Sequence, residues 1–116
     1  MQTSVIKKSI SIALAGLILS TASMEVMAVQ VRGARSCGQW IELRKTLDAV
    51  EAVAQESWFV GYLSGMAAYS DTDILKGTDN PSIFLWLDNY CRAKPLKRID
   101  DAGDELFLEL KKQKRL

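Results

Sequence analysis

Two stretches of this chain are strongly apolar, and they differ in kind. The first, "SISIALAGLILSTA" from Ser9 to Ala22, is an unbroken uncharged run that follows Lys7 and Lys8. The second, "WFVGYLSGMAAY" from Trp58 to Tyr69, is bounded by Gln55-Glu56-Ser57 and by Ser70-Asp71-Thr72-Asp73. Elsewhere apolar residues recur at three- and four-residue spacing, the period of an amphipathic helix, and no segment sustains the two-residue alternation of a half-buried strand. The pattern predicts an all-α fold, a bundle of about four helices forming a single domain over residues 29–116.

Trp40, Leu43 and Leu47 predict a first helix near residues 38–48. The second begins at Asp48, a cap candidate with Glu51 three residues on as in a capping box. Val50, Val53, Ala54 and Ser57 start one face of it, and Gly61 and Gly65 continue that face. Trp58, Tyr62 and Met66 form an adjacent stripe, with Gln55 and Glu56 opposite. Its apolar run is far below the roughly 20 residues a membrane span needs. A glycine inside a helix costs about 1 kcal/mol relative to alanine, so Gly61 and Gly65 predict close approach of another element. Asp71 to Ser82 reads as a loop. Asp79-Asn80-Pro81 then starts a third helix, a cap with proline in the first turn. Ile83, Leu87, Tyr90 and Cys91 share one side of it, and Pro95 ends it. Leu96, Ile99, Gly103, Leu106 and Leu110 make the stripe of a fourth helix, with Gly103 a small residue on its buried side. Val29 to Ser36 has no helical period and reads as a flexible lead-in.

The N-terminal run changes the compartment. Positive charge, then an apolar centre, then "SMEVMA" with Val26 and Ala28 at the small-residue positions is the order of a secretory signal peptide over residues 1–28. A second cleavage point follows Ala22. No cysteine directly follows the run, so a lipid anchor is not expected, and neither is stable membrane insertion after cleavage. Losing Lys7, Lys8 and Glu25 leaves 13 basic and 13 acidic residues. That balance argues against a nucleic-acid partner, which would favour a basic face. The basic end, Lys111 to Arg115, reads as a solvated helix terminus, where cations suit the dipole. The two cysteines, Cys37 and Cys91, read as a disulfide in an exported chain.

Little catalytic chemistry is on offer. The chain has no histidine, which removes the commonest general base and the commonest metal ligand. A bridged cysteine pair offers no thiol nucleophile, and no serine stands in an elbow motif. Asp71, Asp73 and Asp79 fail calcium-loop spacing, because Leu75 takes the fifth position and no glutamate closes the loop. Asp88, Asp100, Asp101 and Asp104 read as a solvated acidic face, with Asp100 and Asp104 one turn apart. The expectation is a binding protein, not an enzyme, with no catalytic residue, metal or cofactor. Trp58, Tyr62 and Trp86 are the candidates for core or partner contact. Any pH response must come from carboxylates, whose reference values lie near 4. Those within reach of Arg44, Arg92 or Arg98 are the ones to watch, including Asp88 one turn before Arg92.

Two stretches carry a family resemblance. "CGQWIEL" and "LDNYCRAKPLKRI" place each cysteine beside an aromatic residue, the second followed by a basic residue and then proline. Both resemble the HdeA/HdeB class of periplasmic acid-stress chaperones. "FVGYLSG" and "PLKRIDDA" are similar to the Tai family, small helical periplasmic immunity proteins that neutralise wall-degrading effectors of type VI secretion. Either resemblance implies a periplasmic helical domain stapled by one disulfide, with a homodimer among its assemblies. The first implies unfolded clients as partners and binding at low pH. The second implies one toxin bound at neutral pH.

Overall fold

The computed structural model describes residues 29–46 and 48–116. The expected signal peptide with its cleavage site, and Leu47 of the first stripe, lie outside the described residues. Four helices follow in order: α1 (Cys37–Lys45), α2 (Ala49–Ser70), α3 (Asn80–Ala93) and α4 (Ile99–Gln113). Among the described residues the fold is all-α, with a lone bridge between Ser36 and Arg98.

Local chemistry places the helix starts. The Ser36 hydroxyl accepts from the Gln39 N–H while the Gln39 amide oxygen accepts from the Ser36 N–H. The Asp48 carboxylate accepts from Val50 and Glu51, and Asp79 accepts from Ser82. Each satisfies helix-end donors that have no partner within the helix. At Asp48 the box is left open, because Glu51 pairs with Arg35 instead. Asp71 closes α2 in the left-handed region at φ 50°.

α2 lies on α4 and α1, and α3 on α1 and α4, while α2 and α3 make only slight contact. The centre is filled by Trp40, Phe59, Leu63, Ile74, Leu87 and Ile99, all fully buried. The Cys37–Cys91 disulfide ties the start of α1 to the end of α3. It closes a separation of 54 residues, enough to restrict the unfolded chain by about 4 kcal/mol on the chain-entropy account. No helix among the described residues is long and apolar enough to cross a membrane.

The orientation of α2 corrects the sequence expectation. Phe59 and Leu63 point inward, with Trp58 and Met66 packed at the core margin. Gln55, expected on the outer side, is half-buried one turn before Phe59. The face expected to be covered is the outer one: Val50 is 82 % and Val53 58 % exposed. Gly61 and Gly65 face nothing, with no atom within 4 Å of where a β-carbon would stand. The reason is area. A buried phenylalanine or leucine removes far more apolar surface from water than a glycine does, at roughly 25 cal/mol per Å².

Gly103 behaves differently. A β-carbon there would stand 2.7 Å from two ring carbons of Tyr62, so α4 approaches α2 through a position only glycine fills. Leu96, expected in the α4 stripe, lies in the turn before the helix and is 97 % exposed. The lead-in is docked rather than loose: Cys37 N–H donates to Lys97 O at 2.7 Å and Ile99 N–H to Arg35 O at 2.9 Å. The basic end is anchored too, since the Lys114 ammonium donates to Ile74 O, Lys76 O and Thr78 Oγ1 and pins the α2–α3 loop.

Candidate functional site

The three aromatic candidates belong to two stacks built the same way. Trp58 and Tyr62 of α2 stack at 5.3 Å between centroids with 12° between planes, and Trp86 and Tyr90 of α3 at 5.3 Å with 21°. The spacing Trp-x-x-x-Tyr, used twice, sets each pair one turn apart on one face. Each ring has a polar end, and each end is satisfied. Tyr62 OH donates to Asp104 at 2.7 Å, Tyr90 OH to Glu105 at 3.1 Å and Trp86 Nε1–H to Glu109 at 2.9 Å. The fourth, Trp58 Nε1–H, donates to Arg32 O at 3.0 Å. α4 thus supplies three of the four acceptors, all carboxylates, along flanks that meet both neighbouring helices.

These contacts shift the groups involved. Burial, then the Asp104 carboxylate accepting its hydroxyl, pushes the Tyr62 phenol well above its ordinary value. Burial and Glu105 push Tyr90 up to about 12. Glu105 is held below the usual carboxylate range, first by the Lys94 ammonium that donates to it and then by the Tyr90 hydroxyl. Lys94 also sits over the Tyr90 ring at 4.8 Å. Trp58, Tyr62 and Trp86 are accordingly half-buried at the margin of the core, not free surface.

A second cluster centres on Asp88, which is only 7 % exposed. Trp40 Nε1–H donates to its Oδ1 at 2.8 Å, and the Arg44 guanidinium reaches both oxygens, at 3.1 and 3.3 Å. Arg44 also donates to Glu56 at 2.5 Å and lies 5.3 Å from the centre of the Trp40 ring. One carboxylate therefore joins α1 to α3, and its guanidinium partner extends the network to α2. The expected pairing of Asp88 with Arg92 is not formed. Arg92 is exposed on the outer side of α3 and donates to Asn89 at 3.3 Å. Sequence offered one signal for the true partner: Arg44 lies one turn after Trp40, so one acceptor between them serves both.

The third feature is the outer face of α2. Val50, Val53, Ser57, Gly61, Ser64, Gly65 and Ala68 run along it with no charged residue and are all exposed. Where α2 and α3 make little contact, a furrow of about 420 Å³ opens beside it, lined by Ser57, Val60, Gly61, Ser64, Asn80 and Phe84 and by the carboxylate-bearing Glu56.

The acidic candidates are engaged individually. Asp100 accepts from Arg98 at 2.9 Å and Asp104 from Tyr62, while Asp101 caps α4 through the Arg98 N–H at 3.0 Å. Among the described residues no cluster of three or more acidic or cysteine side chains is arranged to hold a metal ion, and both cysteines are in the bridge. No family model, curated protein or solved structure matches the chain.

Proposed function

We propose that this chain is a non-enzymatic periplasmic binding protein, a stress chaperone of HdeA/HdeB type that takes up unfolded clients at low pH. The observation that supports this reading is the seating of the aromatic stacks on carboxylates of α4. Hydrogen bonds to an ionised acceptor are roughly twice as strong as neutral ones. Acid strong enough to neutralise these carboxylates weakens the seats. The 13 basic residues of the chain after Ala28 then repel one another without counter-charge. α4 loosens, and the apolar faces of Trp58, Tyr62, Trp86 and Tyr90 become available to a client. The disulfide keeps α1 and α3 together meanwhile.

The test is a titration of the exported protein from pH 7 to 2, with suppression of client aggregation assayed in parallel. Opening below about pH 4 with protection of clients is the expected result. A protein that stays closed to pH 2, or opens without protecting any client, eliminates the reading.

The outer face of α2 favours a second reading, a Tai-like immunity protein. That face carries no charged residue and is exposed in the folded protein, so it needs no unmasking. A preformed surface suits a single toxin bound tightly at neutral pH. A pull-down from periplasmic extract at pH 7 that returns one wall-degrading enzyme in stoichiometric amount supports it over the chaperone.

A further inference from the structure

We propose that residues 31–34 form a removable strap over the Trp58–Tyr62 stack, and that lifting the strap opens this stack to apolar segments of a client protein. The inference rests on the chaperone reading and names what covers its binding strip.

The segment before α1 is held in two unequal parts. Its root is firm. Arg35 O and Cys37 N–H make backbone hydrogen bonds to Ile99 and Lys97, and the disulfide begins at Cys37 itself. Arg35 adds an ion pair with Glu51 at the start of α2. Beyond the root the chain is held far less. Val31 O receives only a long 3.5 Å contact from the Arg98 guanidinium, and Arg32 O receives the Trp58 indole N–H at 3.0 Å. No side chain from 29 to 33 is buried, while Ala34, at the strap's junction with the root, is half-buried against the core.

The central contact is backbone on ring. Gly33 has φ +81°, a conformation that side chains rarely adopt, and a β-carbon there would stand 2.7 Å from Trp58 Nε1. The main chain therefore lies directly on the indole, and the indole in turn stacks on Tyr62. What this glycine covers is Trp58, a half-buried ring at the margin of the core, and none of the fully buried residues. Segments with few buried contacts open at low free energy without global unfolding. The strap meets that description, while its root and the disulfide hold α1 in place.

Strap opening has a definite arithmetic. When only a minor open population binds, the apparent dissociation constant is the intrinsic one divided by that population. Displacing the strap permanently removes that penalty.

Gly33→Val blocks docking through both φ and the indole. Trp58→Phe keeps a ring but deletes the donor to Arg32, and serves if the first variant fails to fold. Both are made in the exported protein, with Arg92→Ala on the exposed outer side of α3 as control. The probe is reduced, carboxymethylated α-lactalbumin, a permanently unfolded chain. Binding is measured at pH 7 and pH 2.5, and far-ultraviolet circular dichroism checks the helices.

The expected result is at least a ~10-fold lower apparent Kd at pH 7 for the strap variants, with helices intact and the Arg92 control unchanged. Unchanged affinity at pH 7 in folded strap variants overturns the strap, and if wild type still binds the probe at pH 2.5 the chaperone reading survives it. Absence of binding by every form at both pH values overturns both. An equal gain in the Arg92 control also overturns the strap, since the effect would then be general loosening.

Discussion

The backbone of Gly103 lies against the ring of Tyr62, so closely that a β-carbon at 103 would fall 2.7 Å from Cδ1 and Cε1. The ring is not free to move aside, being stacked on Trp58 and tied by its hydroxyl to Asp104. Gly103→Ala gains helix propensity but must displace that ring. Overpacking of this kind costs about 1–3 kcal/mol, against about 1 kcal/mol of propensity gained. A net loss of about 1 kcal/mol is expected in urea denaturation.

Gly61→Ala and Gly65→Ala should go the other way. Both positions are helical and open to solvent, so only the propensity term acts. Each is expected to raise stability by about 0.5–1 kcal/mol. A loss at either position would show that the outer face of α2 is covered in solution, for instance by a second copy.

Asp88 is the most exacting polar position. Asp88→Ala leaves the buried Trp40 indole N–H without an acceptor and Arg44 with Glu56 alone. Breaking a buried ion pair costs about 3–5 kcal/mol. Arg44 keeps about a third of its exposure, which reduces the expected loss to about 2–3 kcal/mol. Asp88→Asn keeps the acceptor for Trp40 and should cost less. Arg92→Ala should cost little, within about 0.5 kcal/mol. Equilibrium unfolding of the three variants gives this order or refutes it.

The pH dependence has two edges. Glu105 and Asp79 have folded values below their ordinary ones, through Lys94 and through the Ser82 N–H respectively. Their contribution is present above about pH 4 and is lost as pH falls through the lowered values. Both are exposed, so the individual effects are small. Tyr62 and Tyr90 are raised. Their contribution is complete below about pH 10 and is lost as pH rises through the folded values. Absorbance at 295 nm should show two phenols ionising only together with loss of the near-ultraviolet dichroism, and Glu105→Gln should move the Tyr90 transition downward.

Lys114 makes a local prediction. Its ammonium serves three acceptors of the 74–78 segment. Lys114→Met keeps the aliphatic stem and removes the donors. Faster hydrogen exchange in the α2–α3 loop is expected, with the helices unaffected.

What was legible in the sequence was local. Ser36, Asp48 and Asp79 cap helices because a short oxygen-bearing side chain meets donors two or three residues on. Leu96, beyond the Arg98 N-cap, fell off its predicted helix, and α1 ends at Lys45 instead of near residue 48, because a stripe in sequence does not mark where a helix begins or ends. The disulfide followed from there being two cysteines in all.

Tertiary structure decided everything that spans the chain. α2 is apolar nearly all round, so its own pattern fits two orientations. Phe59 and Leu63 settled it against α4 and α1 because burying them removes the most surface from water. The partner of Asp88 is 44 residues away, and the strap meets Trp58 across 26. No periodic signal encodes such pairs. They exist because a buried carboxylate or indole must find a partner once the helices have packed, and packing alone determines which one stands within reach.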